Sequence, residues 1–226
     1  MKCLEKLVLT HINNTVPDTV DPLQFAYRPN RSVDDAVAVA LHHTLQHLEG
    51  SRTYARMLFL DYSSAFNTIR PGKLIRKLTD LGVPTPTCNW ILDFLTERPQ
   101  VVRMGRQVSA ELIISTGSPQ GCCLSLKLFT LYTHDCVSTH DNTIIIKYAY
   151  DTTILGLIKG GDESGYRSVV NNILVYGEEN DPILNTDKTK ELTLDFRKNP
   201  PPLQPLFIRG TEVERADSYR FLGLQE

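Results

Sequence analysis

Two aspartates, Asp61 and Asp151, stand where a protein could hold a metal ion. Asp61 ends a short apolar run at residues 55–61 that reads as a buried strand, so its carboxylate is expected at the mouth of the domain. Asp151 lies at the tip of a predicted β-hairpin. Either carboxylate could bind a divalent cation, although each aspartate, taken alone, is more often a turn or helix N-cap residue. The two can meet only through the fold.

The elements that must position these aspartates combine helices with paired strands. Apolar spacing predicts a helix at residues 33–48 with Ser32 as its N-cap, and β-branched runs on both sides of residues 148–151 predict the hairpin. Further helices are expected at residues 71–81, 88–96, 122–133 and 164–183, the last ended early by Pro182, and a strand pair at 100–108 and 110–115. This pattern predicts an α+β domain with one core rather than a parallel sheet.

Composition narrows the class of protein. With 226 residues, 41% of them hydrophobic, and a formal charge of -2, the chain can bury a core but has no overall basic field, so any contact with a polyanion must be local. Five cysteines without CxxC spacing argue against a disulfide framework and a zinc site. No apolar run reaches membrane-spanning length, and the start is unlike a signal peptide. We expect a soluble intracellular protein of the nucleus, the cytoplasm or both.

Six segments resemble, in order, the motifs of the reverse transcriptases of LINE-type (non-LTR) retrotransposons. They are residues 24–32, 59–69, 117–122, 147–153, 184–190 and 219–223. Each segment alone would be a weak signal, but their order is the family's order. The resemblance implies a right-hand polymerase fold with fingers and palm, the palm being an antiparallel sheet packed on helices. It places a reverse transcriptase domain at residues 22–226, after a helical N-terminal extension at 1–21, and the chain would end where the thumb begins.

The resemblance also implies a reaction and its cofactor. In such enzymes two Mg²⁺ ions bind the dNTP and activate the 3′-hydroxyl of a DNA primer paired with an RNA template. Asp61 and Asp151 would be metal ligands, because two adjacent divalent cations need several carboxylate oxygens to offset their repulsion. Lys188 would be a general acid that protonates the leaving pyrophosphate. Without the resemblance, Lys188 would be read as a surface charge.

A further set of residues would bind the nucleotide and the template. Phe66 would lie against the sugar and exclude ribonucleotides, Gln120 and Gly121 would pack on the incoming nucleotide, and Arg28 and Arg31 would contact phosphates. Each has a plainer interpretation: a core phenylalanine, a turn before a helix, and solvated arginines. The resemblance favours the binding roles.

Tyr150 departs from the family pattern, because it stands where the family has the first of two adjacent aspartates. A phenol with a pKa near ~10 is neutral at pH 7 and a poor ligand for Mg²⁺. Sliding the strand to bring Asp151 into its place would turn the neighbouring side chains to the wrong face. We therefore expect the family function to be RNA-directed DNA synthesis, with activity lost or strongly impaired in this chain. Three alternatives stay open: Asp151 or another carboxylate that replaces the missing ligand, a non-catalytic RNA- or DNA-binding or interaction module, and a relic without function. The oligomeric state is not predicted.

Overall fold

The computed structural model describes residues 2–63, 65–119, 121–180, 183–222 and 224–225. The helices are α1 (Lys2–Thr15), α2 (Val33–Leu48), α3 (Pro71–Asp80), α4 (Thr85–Leu95), α5 (Cys123–Tyr132) and α6 (Ser164–Asn180). The strands are β1 (Thr53–Leu60), β2 (Tyr62–Ser63), β3 (Arg98–Gln100), β4 (Arg103–Met104), β5 (Gln107–Val108), β6 (Leu112–Ile114), β7 (Thr143–Tyr148), β8 (Asp151–Lys159), β9 (Ile183–Leu184), β10 (Lys190–Leu194), β11 (Phe207–Ile208), β12 (Thr211–Glu212), β13 (Glu214–Ala216), β14 (Arg220–Phe221) and β15 (Leu224–Gln225). Within the described residues, no helix is both long and apolar enough to cross a bilayer.

The chain divides into two compact units. Residues 1–20 and 64–133 form what we call the helical unit, and residues 21–63 and 134–226 form the sheet unit. In the helical unit, α1 packs on α5, and α3 packs on both α4 and α5. The division after residue 21 into an extension and a polymerase domain stays a prediction.

The sheet unit is built on five strands in the order β13-β10-β1-β8-β7. All neighbours are antiparallel except β10 and β13, which are parallel. Helix α2 packs against β1, β7 and β8, and α6 also packs against β7 and β8. The two helices cover opposite faces, because the side chains of β1 alternate between two apolar clusters, one containing residues of α2 and the other residues of α6. All eight residues of β1 are buried, as expected for a central strand covered on both faces.

A charged cluster lies within the α6 face of the sheet. Arg56 of β1 and Glu191 of β10 are fully buried and joined by two hydrogen bonds, Nε to Oε1 at 2.9 Å and Nη2 to Oε2 at 2.6 Å. Arg56 Nη1 also lies 2.7 Å from Glu163 Oε2, and the Tyr166 hydroxyl donates to Glu191 Oε1 at 2.7 Å. The Tyr166 ring packs over Gly156 of β8, where an added Cβ would lie 2.6 Å from a ring carbon. The cluster therefore depends on the space that Gly156 leaves.

Most predicted elements are confirmed. Helix α2 has the predicted bounds, because the Ser32 hydroxyl accepts from the Asp35 N–H while the Asp35 carboxylate accepts from the Ser32 N–H. Helices α3 and α5, the strand before Asp61 and the hairpin of β7 and β8 also lie where they were expected. The capping signals and β-branched runs of these segments are local, so the sequence alone was sufficient to predict them.

The predicted strand at residues 100–108 and the predicted bounds of α4 and α6 differ from the structure or depend on residues that it does not describe. The expected strand at residues 100–108 is wrong: the chain turns back at Gly105, so that β4 pairs with β5 inside an outer pair of β3 and β6. Gly105 has a φ of 61°, which suits glycine. Helix α4 begins at Thr85, three residues before the predicted start, since Pro86 fits the first turn of a helix. Helix α6 ends at Asn180, and Asp181 and Pro182, on which the predicted early end depended, lie outside the described residues.

Candidate active site

Asp61 and Asp151 lie side by side at one end of the central sheet. Leu60 of β1 pairs with Thr152 of β8, so the residue after β1 and the first residue of β8 are brought next to each other. Burial, and next the negative charge of Asp61, raise the pKa of the Asp151 carboxyl above its usual value. The fold thus brings together two carboxylates that repel each other, as a site for a cation would require.

A short strand pair brings Lys188 to the same place. Tyr62 of β2 pairs with Leu184 of β9, and the Asn185 N–H donates to the Asp61 carbonyl at 2.8 Å. The turn that follows places Lys188 Nζ 3.7 Å from Asp61 Oδ2, with the lysine side chain 69% exposed and the aspartate 30% exposed. Such an exposed pair is weak, so Lys188 remains able to move to another anion.

Tyr150 occupies the two-residue turn between β7 and β8. Tyr148 pairs with Asp151, which leaves Ala149 and Tyr150 as the loop, and Ala149 has a φ of 58°. The Tyr150 side chain is 40% exposed. Burial, and next the neighbouring Tyr150, raise the pKa of the Tyr27 hydroxyl, so these two tyrosines lie close together. Tyr150 is thus a half-exposed phenol side chain in the hairpin turn, at the position immediately before Asp151.

A cavity of about 310 Å³ opens beside Asp151. Tyr148, Phe59 and Tyr219 line it together with Asp151, and the rings of Phe59 and Tyr219 are stacked with centroids 3.8 Å apart. Burial, and then Asp151 and Asp61, raise the pKa of the Tyr219 hydroxyl. Residues 219–223 were matched to a motif from sequence, but the position of Tyr219 in the same cavity as Asp151 was not foreseen. Gly223 lies outside the described residues.

Arg28 and Arg31 lie in the segment before α2, within the sheet unit. Arg28 Nη1 donates to two backbone carbonyls, those of Asp21 at 2.7 Å and Gln24 at 3.1 Å. The exposed Arg31 guanidinium stacks over the Phe25 ring, 5.2 Å from its centroid. Arg28 therefore ties residues 21–28 into a loop through its bonds to the Asp21 and Gln24 carbonyls, whereas the Arg31 guanidinium is exposed to solvent.

Phe66 and Gly121 belong to the helical unit, where they line one cavity of about 370 Å³. The Phe66 ring packs on Phe129 of α5 with ring centroids 5.4 Å apart, and the Ser118 N–H donates to the Phe66 carbonyl at 2.8 Å. Gly117 lets these segments approach, because its added Cβ would lie 2.7 Å from the Asn67 Cα. The structure brings Phe66 and Gly121 together, whereas Gln120 lies outside the described residues.

In the described part of the chain, no three histidine, cysteine, aspartate or glutamate side chains cluster closely enough to hold one ion. Two of the three carboxylates expected from the resemblance, Asp61 and Asp151, are present in the sequence, and the third position is that of Tyr150.

Sequence reasoning missed Gln24 as a member of this site. Its side chain is buried, at 2% exposure, and bonds to both the N–H and the carbonyl of Ala149 in the hairpin tip. The available signal was an uncharged amide within an otherwise apolar stretch, Leu23 to Ala26, since a buried amide needs specific partners.

Comparisons with known proteins agree on the type of protein. A family model described as reverse transcriptase (RNA-dependent DNA polymerase) matches residues 1–225. The "Probable RNA-directed DNA polymerase from transposon BS" of Drosophila melanogaster is 22% identical over 99% of the chain. The "RNA-directed DNA polymerase from mobile element jockey" of the same species is 24% identical over 99% of the chain. The chain spans about a quarter of the length of these curated relatives, 26% and 25% respectively.

Solved structures of telomerase share the fold. The telomerase of Candida albicans in complex with a fragment of telomeric RNA superposes with a TM-score of 0.59 at 14% identity, over 98% of this chain and 36% of that one. The telomerase of Candida tropicalis gives 0.64 at 9% identity, over 97% and 36%. At this identity the likeness concerns the fold alone. It confirms the predicted α+β fold class with its largely antiparallel sheet packed on helices.

Proposed function

Because the chain belongs to the reverse transcriptase (RNA-dependent DNA polymerase) family, we propose that it is the reverse transcriptase domain of a LINE-type (non-LTR) retrotransposon. Its reaction would be transfer of a nucleotide from a dNTP to a primer 3′-hydroxyl, directed by an RNA template. The adjacent carboxylates of Asp61 and Asp151 carry this proposal, with the exposed Lys188 beside them. The similarity to transposon polymerases of Drosophila supports the assignment to a mobile element. We place its action inside the cell, where template and primer occur.

The chain's own donors fit one Mg²⁺ ion. Mg²⁺ is usually bound through one or two carboxylates together with waters and substrate phosphates, and Asp61 and Asp151 would supply the carboxylates. The adjacency of the two carboxylates supports this fit: burial, and next the charge of Asp61, raise the pKa of the Asp151 carboxyl, and a cation would offset the repulsion between the two aspartates. When bound, Mg²⁺ would neutralise phosphate charge and make the primer hydroxyl more acidic. A second ion lacks its carboxylate, since Tyr150 occupies that position.

The remaining residues would bind and orient the substrates. In this proposal Lys188 leaves Asp61 to donate a proton to the departing pyrophosphate, which its weak ion pair permits. Arg31 would contact a phosphate with its exposed guanidinium, and Arg28 would fix the loop that carries Arg31. In the helical unit, the cavity lined by Phe66 and Gly121, with Gln120 next in sequence, would take the nucleotide.

We further propose that polymerase activity is lost or strongly impaired in this chain. The neutral Tyr150 hydroxyl is a poor ligand for Mg²⁺, and loss of a direct metal ligand commonly lowers the rate by orders of magnitude. The two-residue turn supports this, because Tyr148 and Asp151 are already paired and a shift by one residue would break the register of the whole hairpin.

A primer-extension assay with Mg²⁺ or Mn²⁺ tests the proposal. We expect extension by the unmodified chain to stay at or below the detection limit. The Tyr150→Asp variant should exceed that limit by about a hundredfold or more, because a carboxylate ligand is restored. Tyr150→Phe is the size-matched control without a carboxylate, and it should stay inactive. Adding Asp61→Asn to Tyr150→Asp should abolish the recovered activity. Robust extension by the unmodified chain would disprove the impairment, and loss of that activity in Asp151→Ala would favour the alternative in which Asp151 or another carboxylate compensates for Tyr150.

A non-catalytic nucleic-acid-binding module is the second candidate. The exposed Arg31 guanidinium, in a chain that has Tyr150 where the family has an aspartate, favours it. It predicts template-primer binding that weakens steeply with salt, without extension by any of the variants above. Measurement of binding by fluorescence anisotropy at several salt concentrations would separate it from a relic, which should not bind.

A further inference from the structure

The segment before α2 forms an isolated parallel β-bridge with β7 at the edge of the sheet. Gln24 forms a parallel bridge with Lys147. The Phe25 N–H donates to the Lys147 carbonyl at 2.9 Å, and the Lys147 N–H donates to the Leu23 carbonyl at 2.9 Å. Gln24 is thereby placed next to the end of β7, where the turn with Ala149 begins.

The Gln24 side chain holds the backbone of that turn from two directions. Its Oε1 accepts from the Ala149 N–H at 3.1 Å and from the Ala26 N–H at 3.0 Å, and its Nε2 donates to the Ala149 carbonyl at 3.4 Å. Ala149 has a φ of 58°, a conformation that is unfavourable for a residue with a Cβ. The amide therefore supports a strained residue through both of its polar backbone groups.

We propose that Gln24 is the positioning residue of the hairpin tip: by holding Ala149 it sets where residue 150 and the Asp151 carboxylate stand relative to Asp61. Asp151 follows Ala149 by two residues, and the turn between them has no other residue than Tyr150. A rotation of the Ala149 peptide would therefore move Asp151 directly. A side chain that merely filled space would not need both an acceptor and a donor.

Other contacts keep the segment attached when Gln24 is changed. Lys147 Nζ lies 2.6 Å from Asp21 Oδ2 and donates to the Cys136 carbonyl at 2.9 Å, with the lysine almost fully buried. Arg28 closes the loop between the Asp21 and Gln24 carbonyls. Substitutions at position 24 should thus loosen the turn without detaching the segment.

Hydrogen exchange measured by NMR tests the proposal directly. Among the described residues, the acceptor of the Ala149 N–H is Gln24 Oε1. In Gln24→Leu, which keeps the size and removes the polar atoms, this amide should exchange about tenfold faster or more, while the ladder amides of β7 and β8 keep their rates. Gln24→Glu keeps an acceptor, so it should preserve most of the protection. Gln46→Ala, on the exposed side of α2, is the matched control and should change nothing.

These variants separate positioning from simple packing. If Gln24 only fills space, Leu would replace it without effect on Ala149 exchange, and Glu would be the more harmful change. Unchanged Ala149 exchange in Gln24→Leu would overturn the proposal. Because Gln24→Glu conserves both shape and acceptor, it also remains informative if the leucine variant fails to fold.

A second measurement links the turn to metal binding, and it alone rests on the proposed function. Mn²⁺ is the probe, and its binding to the Tyr150→Asp protein is followed by electron paramagnetic resonance. Adding Gln24→Leu should raise the Kd for Mn²⁺ roughly tenfold, since groups that orient metal ligands commonly matter that much. An unchanged Kd would overturn the link to the carboxylates. If the Tyr150→Asp protein binds no Mn²⁺, the proposed function fails, while the exchange of Ala149 still decides the role of Gln24.

Discussion

Strand β1 carries one charged residue in its middle and is followed by another at its end, and their surroundings differ. Arg56 is fully buried, and its guanidinium nitrogens lie 2.6 to 2.9 Å from the carboxylate oxygens of Glu163 and Glu191. The Tyr166 hydroxyl donates to Glu191 at 2.7 Å. Asp61 is 30% exposed, lies beside a second carboxylate, and has Lys188 only at 3.7 Å. The charge of Arg56 in the middle of β1 is therefore neutralised by its partners, whereas the charge of Asp61 after the strand is only partly neutralised.

Under the proposed function, this difference separates a charge that stabilises the fold from one that binds a substrate or an ion. A buried ion must have its partners supplied by the protein, because an uncompensated charge in the interior costs several kcal/mol. The repulsion between Asp61 and Asp151 costs less, because the Asp61 side chain is 30% exposed to water. In the proposed function this pair would hold a cation, whereas the Arg56 cluster already contains its own counter-charges.

The largest effect is expected from breaking the buried cluster. Glu191→Ala would leave Arg56 without its bidentate partner, and we expect a loss of about 3–5 kcal/mol in the free energy of unfolding. Chemical denaturation measures it. The matched control is Glu214→Ala, which removes the exposed pair of Lys190 and Glu214 at 2.8 Å and should cost less than about 1 kcal/mol. Equal losses would mean that burial does not distinguish the two kinds of ion pair.

A smaller effect is expected from removing one hydroxyl of the cluster. Tyr166→Phe keeps the ring over Gly156 and deletes the donor to Glu191, so unfolding should become easier by about 1 kcal/mol. Tyr176→Phe is the control, because its hydroxyl bonds to Asp135 at 2.8 Å in an exposed position. We expect thermal unfolding to shift clearly for the first variant and hardly for the second. A shift of the same size in both would argue against a special role of the buried hydroxyl.

The smallest effect should appear at the carboxylate pair, and it should depend on pH. Because the pKa of Asp151 is raised on folding, the stability due to its protonated form is present below the ordinary value of 3.8 and is lost as the pH rises through the raised value. Asparagine has no charge to bury, so Asp151→Asn avoids the cost of an ionised Asp151 in the folded protein. At neutral pH the variant should therefore raise the free energy of unfolding by about 0.5 kcal/mol. Thermal unfolding between about pH 3 and pH 7 should show the gain growing with pH. A gain that is constant over this range would contradict the raised pKa.

The local part of the fold could be predicted from sequence, and the long-range part could not. Ser32 and Asp35 form a capping box within four residues, and this signal set the start of α2 correctly. The pairing of Phe59 with Lys190 on β10 joins residues far apart in the chain, so no local pattern reveals it. The nested pairing around Gly105 was missed for a related reason, since alternation predicts strands but not their partners.

The candidate site shows the same limit. Asp61 and Asp151 could be proposed as site residues because they lie in the segments that resemble the family motifs, and the register of β1 with β8 then brings them together. The hydrogen bonds of Gln24 to Ala149 connect residues 125 positions apart. A buried amide can be suspected from sequence, but its partner is determined by packing of segments that the sequence does not place in advance.

The contact between Gly156 and the Tyr166 ring has a consequence for how this sequence can diverge. A side chain at position 156 would collide with the ring, and a displaced ring would lose its hydroxyl bond to Glu191. The two positions should therefore covary: wherever a family member carries a larger residue at 156, a smaller one is expected at 166, together with a change in the charges of the cluster. Substitutions at positions 156 and 166 are therefore expected to occur together rather than independently.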